Sequence, residues 1–342
     1  MELMMIAPRI PLNFFGMPFG LAGLAGSWVT MADYGHAPET VGDVLLGLSA
    51  LVWLIVLGAY LRYVLSDRTA LVRDLLDPIG APFASLAVIT PILLANEGVY
   101  PHAAQTGRVL VDIFIVLTVI LGAWLTGQWI YGSLDLDKFH PGYFLPTVAG
   151  GLIASAAAAE VGQQRLAGVL FGLGVICWLL LGSIILGRLL FRPLLPTPLL
   201  PTLAIEVAPA AVASLAYFAQ HGDHIDAVAA FVGGYGLLMV LAQLRLLPAY
   251  VRSPFMASTW AFTFAWAAVA SVTLHWLQDL KPAGYHGYQY LVLTAISAFI
   301  GAIALRTLVA VRQRQLLPQP APTAAAHPGV TSVTVDADHV QA

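Results

Sequence analysis

Hydrophobic stretches of two kinds alternate along this chain, about five times over. One kind is rich in Gly, Ala, Ser and Pro, and the other is rich in Leu, Ile and Val. Small residues let helices pack closely, whereas bulky branched residues suit a lipid-facing wall. A helix needs about 20 apolar residues to cross a bilayer. The pattern therefore predicts an all-helical integral membrane protein with these ten spans: 11–31, 41–63, 78–96, 107–132, 143–160, 164–191, 203–220, 226–248, 256–278 and 287–312.

The small-residue stretches repeat at a regular interval. Each opens on a proline, and successive openers lie 67, 63, 60 and 53 residues apart, at Pro11, Pro78, Pro141, Pro201 and Pro254. This interval is about the length of one helical hairpin. We therefore predict five helical-hairpin repeats around a central pore, with the small-residue helices facing the axis.

Four more prolines fall inside the predicted inner helices, at Pro18, Pro91, Pro146 and Pro209. A proline inside a helix removes a backbone hydrogen bond and clashes with the preceding turn. Because the freed backbone groups need protein or water as partners in a membrane, these prolines predict kinks that line a pore. Simple tight packing of small residues is the alternative interpretation.

Composition supports the membrane class and narrows the chemistry. Hydrophobic residues make up 59% of the 342 positions and charged residues only 10%, which an ordinary soluble domain could not bury. Cys177 is the one cysteine, so no disulfide or cysteine zinc site is predicted. The sequence has no H-E-x-x-H or G-x-S-x-G motif and no basic stripe, and its formal net charge is −3. We predict no enzymatic activity, no cofactor, no metal and no nucleic-acid partner.

The positive charges predict an orientation. With the N-terminus inside, twelve of the 15 Lys and Arg residues fall at cytoplasmic ends, whereas Arg108, Arg165 and Lys281 fall outside. The positive-inside rule favours this arrangement, so both termini are predicted to be cytoplasmic in a multi-pass protein of the inner membrane. Residues 1–317 would form the pore domain, and the Pro- and Ala-rich residues 318–342 would form a disordered cytoplasmic tail.

Three stretches carry a resemblance to a known family. They are FVGGYGLLMVLAQLRLLPAY at 231–250, APAAVASLAY at 208–217, and PFMASTWAFTFAWAAVASV at 254–272, which contains a W-x-[FY]-[ST]-F pattern at 260–264. Over about residues 10–312 the chain resembles the tellurite-resistance/dicarboxylate transporter family, which includes bacterial TehA, fungal malate and sulfite transporters and plant guard-cell slow anion channels. The resemblance implies ten helices in five hairpins, anions as the transported partner, and a homotrimer in the lipid bilayer.

The resemblance also implies a pore gate, because the last aromatic of the W-x-[FY]-[ST]-F pattern blocks the pore in the family. That role carries over to Phe264. It lies about eight residues into its predicted helix, or about 12 Å at 1.5 Å per residue, which is close to the bilayer centre. A single ring on a face of small residues could close a narrow channel. An ordinary packed aromatic is the alternative, and Ala265 stands where some relatives carry proline, so the local kink is expected to be smaller.

Anion binding has to come from partial charges, because no Lys or Arg lies deep within an inner stretch. Backbone N–H groups at kinks and side-chain hydroxyls can supply them. The candidate hydroxyls are Thr147, Ser214 and Thr263, together with Thr90 and Ser155. A weak site of this kind favours passive conduction, so the predicted cargo is a small anion such as chloride or nitrate, with tellurite or sulfite as further candidates.

Glu206 keeps a second mechanism open. An intramembrane carboxylate is a functional candidate, and a proton on it could make the protein a proton-coupled carrier of sulfite or of a C4-dicarboxylate such as malate. The alternative is that Glu206 is shallow and reaches cytoplasmic water. Glu97 and Asp112 are shallower candidates of the same kind.

Six of the nine histidines fall at the predicted outer face. Protonated imidazoles at a channel mouth could admit anions better near pH 6.5, whereas solvated loop histidines are the simpler interpretation. The H-G-D-H run at 221–224 is a weak metal motif, because it offers two histidines and one aspartate without further ligands.

Overall fold

The computed structural model describes residues 9–313 together with Gln315 and Leu316. Within this part of the chain the regular structure is entirely helical, and ten helices are long and apolar enough to cross a membrane. They are α1 (Leu12–Asp33), α2 (Glu39–Ser66), α3 (Ala81–Val99), α4 (Ala104–Tyr131), α5 (Pro141–Glu160), α6 (Gln164–Phe191), α7 (Thr197–His221), α8 (Ala227–Arg252), α9 (Ala257–Leu280) and α10 (Tyr285–Arg312). The predicted all-helical, ten-span fold is confirmed.

The predicted helix ends agree with the structure to within a few residues. The largest difference is at α7, which begins at Thr197 rather than at residue 203. A short helix, Ala70–Leu76, lies between α2 and α3. The predicted tail, residues 318–342, lies outside the described residues, as do its two histidines, His327 and His339.

The ten helices fall into a buried set and an exposed set. We call α1, α3, α5, α7 and α9 the inner helices and the other five the outer helices. In the most apolar 18-residue stretch of each inner helix, 50% to 94% of the residues are buried, against 17% to 28% in the outer helices. Bulky side chains such as Leu65, Ile130 and Phe231 are exposed on the outer helices. The small-residue stretches therefore form the interior, and the Leu-rich stretches form a wall suited to lipid.

The inner helices form a closed ring of five. Each one packs against the inner helix that precedes it, α9 returns to α1, and each is also covered by the outer helix that follows it in the chain. The contact between α1 and α9 is so close that a Cβ added at Gly20 would lie 1.8 Å from Oγ1 of Thr263. Because an outer helix returns the chain after every inner one, all five inner helices begin on the same side of the ring. We call that side the N side and the opposite side the C side.

Helix type also separates the two sets. The outer helices are α-helical from end to end. Each inner helix instead begins with a stretch of the tighter 3₁₀ helix: Leu12–Phe15, Ala81–Ser85, Pro141–Phe144, Thr197–Val207 and Ala257–Trp260. Two inner helices also contain wider π-helical turns, at Leu94–Val99 and Leu145–Ala149.

The four interior prolines lie where the helix type changes. Pro18 and Pro209 are in the first turn of the α-helical parts of α1 and α7. Pro91 precedes the π turn of α3, and Pro146 is the second residue of the π turn of α5. A proline has no backbone N–H that needs a hydrogen-bond partner. A change from one helical hydrogen-bond pattern to another is therefore least costly at these positions.

Candidate functional site

Two cavities lie on the axis of the ring, one above the other. The N-side cavity has a volume of about 40 Å³ and is lined by residues from all five inner helices. Its wall is mainly apolar and includes Phe19, Leu86, Leu145 and Ala261. A cavity of this size holds only a few water molecules.

The C-side cavity is larger and polar. Its volume is about 480 Å³, and all five inner helices contribute to its wall, through residues such as Thr30, Asn96, Leu215 and Ser271. Carboxylates from four separate parts of the chain also line it: Asp33, Glu97, Glu160 and Asp223.

Phe264 lies between the two cavities. Among the described residues, Phe264 and Val212 are the ones that line both. The Phe264 ring stacks on the ring of Phe19, with centroids 3.7 Å apart and an angle of 19° between the planes. The ring therefore lies where the two cavities meet, and we call it the plug because of this position.

The close approach of α1 and α9 determines where the plug lies. A Cβ added at Gly23 would come within 2.8 Å of Cδ2 of Phe264 and 3.2 Å of Cβ of Ala267. The ring thus occupies space that a side chain on α1 would otherwise fill. Ala267 is fully buried at the same contact. Small residues on both helices are therefore what allow the ring to lie across the axis.

The other residues expected to line the pore are distributed differently. Pro209 is in the wall of the N-side cavity. Six others lie outside the walls of both cavities: Pro18, Pro91, Pro146, Thr147, Ser214 and Thr263. None of these six residues borders an axial cavity, in contrast to Pro209, and their role in lining a pore stays a prediction.

The contacts of these residues explain the difference. The Ser49 hydroxyl of α2 donates to the Pro18 carbonyl at 2.7 Å, so the backbone at this proline contacts an outer helix. A Cβ added at Gly122 of α4 would lie 3.0 Å from the Pro146 carbonyl oxygen. Ser214 faces a groove beside α8, and Thr263 packs on Gly20. The Pro18 and Pro146 carbonyls thus contact outer helices rather than either cavity.

Most of the candidate hydroxyls already donate to backbone carbonyls. Thr90 donates to Leu86 at 2.7 Å and Thr263 donates to Trp260 at 2.7 Å. Ser214 and Ser155 bond to carbonyls in the same way. Thr147 Oγ1 is buried without a partner but does not line either cavity. These groups do not offer free donors to an ion on the axis.

Two polar residues that the sequence analysis missed do line the N-side cavity. Asn13 lies in the first turn of α1 and Ser258 in the first turn of α9. Asn13 Oδ1 and Ser258 Oγ are both inaccessible to water and have no hydrogen-bond partner. A helix N-terminus also carries free N–H groups and a partial positive charge. Polar residues at the start of apolar helices were the signal that could have identified them.

Glu206 is buried in α7 away from both cavities. It is 6% exposed, and its Oε1 has no hydrogen-bond partner. Its neighbours include Tyr235 and Tyr250 of α8. The carboxyl group is thus inside the wall between α7 and α8, which differs from both the shallow, water-exposed position and a position on the pathway.

A cluster of three side chains joins separate elements at the C-side mouth. The Tyr34 hydroxyl lies 2.7 Å from Nδ1 of His275 and donates to Oδ2 of Asp223 at 3.2 Å. His275 Nδ1 lies 3.3 Å from Oδ1 of Asp223. The hydrogen bond with His275 lowers the pKa of Asp223, and burial raises the pKa of Tyr34. The cluster connects the end of α1, the loop after α7, and α9.

Three other histidines have partners outside this cluster. Residues of the H-G-D-H run diverge, because His221 contacts the Tyr217 carbonyl and His224 contacts Asp279. His140, before α5, is fully buried, and burial lowers its pKa to about 4. In the part of the chain that the structure describes, no group of three or more His, Cys, Asp or Glu residues could hold a metal ion.

A ring of five helices with an interrupted axial pathway suits a channel, and the comparisons with known proteins agree. The family described as SLAC1, voltage-dependent anion channel, matches residues 9–308. The chain belongs to the SLAC1 family. It is 28% identical to the tellurite resistance protein TehA homolog of Haemophilus influenzae, over 87% of this chain and 90% of that protein.

Two plant members of the SLAC1 family are also similar. The chain is 25% identical to the S-type anion channel SLAH2 of Arabidopsis thaliana over 91% of its own length, and 25% identical to SLAH3 of the same plant over 80%. It spans 61% of the length of SLAH2 and 44% of SLAH3. The SLAC1 membership makes this a multi-pass membrane protein of an anion channel and transporter family, and it confirms the resemblance drawn from the sequence.

Proposed function

We propose that this protein conducts small inorganic anions passively along the axis of its inner helices, with Phe264 as the plug. The observation that carries the proposal is the pair of cavities that meet at the Phe264 ring. Both are lined by all five inner helices, so they form the two halves of one pathway. The stacking of Phe264 on Phe19 makes the present arrangement the closed one.

The N-side cavity supports the choice of anions. The five inner helices begin there, and helix N-termini favour negative charge through their free N–H groups and their dipoles. Ser258 can donate a hydrogen bond from its unpartnered hydroxyl, and Asn13 can turn its amide towards the cavity. An anion held by such neutral donors binds weakly enough to leave again, which conduction requires. Chloride and nitrate are the cargo we propose.

The test is the reversal potential of the current carried by Phe264→Ala in planar bilayers. With a tenfold gradient of potassium chloride, the current should reverse near the chloride potential, about 59 mV from zero and opposite in sign to the potassium potential. Replacing chloride with nitrate on one side should shift that potential again. A current that reversed at the cation potential, or a folded Phe264→Ala protein that carried none, would contradict the proposal.

The alternative of a proton-coupled carrier of dicarboxylate or sulfite depended on Glu206. Its carboxyl group lines neither cavity, so the geometry gives no support to coupling at that residue. Glu206→Gln should leave the anion current through Phe264→Ala unchanged. Loss of transport in the Glu206→Gln protein, with the fold intact, would instead favour the carrier.

The orientation and the assembly are further parts of the proposal. We propose that the N side faces the cytoplasm of the inner membrane, because twelve of the 15 Lys and Arg residues then lie on the cytoplasmic side. Accessibility of a cysteine introduced at exposed Arg68 would test this in intact cells. The homotrimer implied by the family resemblance is testable by the mass of the detergent-solubilised protein.

A further inference from the structure

The C-side cavity has the wrong charge for an anion pathway. Four carboxylates line it, at Asp33, Glu97, Glu160 and Asp223, and among the described residues no Lys or Arg does. The inner helices also end on this side, and helix C-termini carry a partial negative charge. An anion that passed the plug would therefore meet a negative field unless some of the carboxylates were neutral.

Glu97 is the carboxylate least supported by its surroundings. Its Oε2 is inaccessible to water and has no hydrogen-bond partner. The carboxylate lies against α1, because a Cβ added at Gly26 would be 3.3 Å from Oε1 and 3.4 Å from Oε2. A buried charged oxygen without a donor is costly. A proton on this carboxyl group would remove that charge.

Asn96, the residue before Glu97, binds a second carboxylate, that of Glu160. It is 6% exposed and lines the cavity, and its Nδ2 donates to Oε2 of Glu160. Its Oδ1 has no hydrogen-bond partner, so the side chain has an acceptor left for a donor that arrives in the cavity. Glu160 itself is exposed in the same cavity as Glu97, and its hydrogen bond with Asn96 holds it next to the residue that precedes Glu97. Neighbouring carboxylates in one cavity favour the binding of a proton.

The groups around Glu97 do not supply a compensating cation. Asp33 of α1 and Glu160 of α5 add negative charge. Across the cavity, His275 of α9 and Tyr34 are engaged with Asp223. On the outer helices behind α3, the charged groups have other partners or are exposed: Asp43 with His102, Asp112 with Gln163, and exposed Arg108. A metal ion is disfavoured, because no group of three or more His, Cys, Asp or Glu within residues 9–313 could hold one.

We propose that Glu97 and Glu160 form a proton-binding site in the C-side cavity, and that the bound proton makes this cavity passable to anions. The binding site stands on the contacts of Glu97, Asn96 and Glu160 alone, whereas its effect on transport rests on the proposed function. When the proton leaves, the added negative charge repels anions from the C-side half of the pathway. The protein is then an anion channel whose conductance depends on the pH at the C side.

The proton itself can be observed in the purified protein by infrared spectroscopy. At about pH 7 the wild type should show the carbonyl band of a buried protonated carboxyl group, and Glu97→Gln should remove it. Glu39→Gln is the matched control, because Glu39 is exposed at the start of α2 and does not line the cavity. A spectrum unchanged by Glu97→Gln would overturn the proton site, whatever the protein transports.

The effect on transport is measured in the Phe264→Ala background. Raising the C-side pH from about 6 to about 8 should lower the anion current about tenfold, since one unit charge at short range changes anion occupancy by roughly this factor. When Glu97→Gln is added to Phe264→Ala, the current should stay at both pH values as large as the current of Phe264→Ala at about pH 6. Adding His275→Gln should leave the pH dependence in place, which separates the carboxylates from the mouth histidine.

Each outcome has a distinct meaning. A pH-independent current in Phe264→Ala, or a Glu97→Gln protein that still responds to pH as Phe264→Ala does, would overturn the proton-dependent conductance and leave the proposed channel intact. A Phe264→Ala protein that carries no anion current contradicts the proposed function, while the infrared result still decides the proton site. If Glu97→Gln does not fold, Glu160→Gln tests the same pair in both measurements.

Discussion

Truncation of the plug gives the sharpest test of the pathway. For the wild type to open, the Phe264 ring must leave its stack on Phe19, which is worth about 0.5–1.5 kcal/mol. Because Gly23 and Ala267 leave no free space beside the ring, it must also leave its preferred rotamer, at about 0.5–1.5 kcal/mol. The closed state is then favoured by about 1–3 kcal/mol, so Phe264→Ala should raise the anion conductance about 5- to 150-fold.

The assay is chloride conductance of reconstituted protein, normalised to the amount of folded protein in the membrane. Phe262→Ala is a matched control on the same helix. The Phe262 ring packs on Tyr250 and Phe299 and lines a groove outside the pathway. Phe262→Ala should therefore leave the conductance at the wild-type level, although it removes an aromatic ring of the same size.

Two results would refute the reasoning. One is a Phe264→Ala protein that is folded and as silent as the wild type, because the ring would then not be what blocks the axis. The other is an equal increase from Phe262→Ala, which would indicate a general loosening of α9. Phe264 is only partly buried, so its truncation should cost less than the about 3–5 kcal/mol typical of a core Phe. Thermal unfolding of both variants checks that assumption.

Three further substitutions follow from the contacts. Gly23→Ala should lower the free energy of unfolding by about 1–3 kcal/mol in thermal denaturation, because the new Cβ would be 2.8 Å from the plug ring; Gly47→Ala, with open space around it, should not. Asp223→Asn should lower the melting temperature near neutral pH. That difference should disappear as the pH falls through the pKa of Asp223, which lies below its ordinary 3.8, and a difference that persisted there would contradict an ionised partner for His275. Glu206→Gln should raise the melting temperature by about 2–4 °C, since it removes a buried carboxylate oxygen without a partner; a fall would show that the carboxylate is stabilised by its surroundings.

The division into inner and outer helices was readable from the sequence because solvent preference depends on side-chain size and branching. A Leu-rich helix is stable against lipid, whereas a helix of Gly, Ala and Ser lets other helices approach closely. The closed ring brings Gly20 onto Thr263, a contact that only a residue without a side chain permits. The helix ends were also predictable, since charged residues and turn formers limit each apolar stretch.

The sequence did not indicate in the same way which side of each inner helix faces the axis. An inner helix is buried on nearly all sides, so apolar periodicity does not indicate its rotation. Pro18 and Pro146 illustrate this, because both lie in inner helices yet their carbonyls face outer ones. Asn13 and Ser258 were missed for the same reason: only the packed ring turns them towards the N-side cavity.

The sequence alone determined that this chain has ten membrane-spanning helices, that its small-residue helices are the interior ones, and that the W-x-[FY]-[ST]-F pattern puts the Phe264 ring in the first half of the ninth span. These features depend on local composition and on the length of a bilayer-spanning helix. The tertiary structure decided what surrounds that ring. The C-side cavity joins Asp33, Glu97, Glu160 and Asp223 from four distant parts of the chain. Their combined negative electrostatic field exists because the closed ring brings the four carboxylates together. In the sequence, each of them is an ordinary residue near the end of a helix.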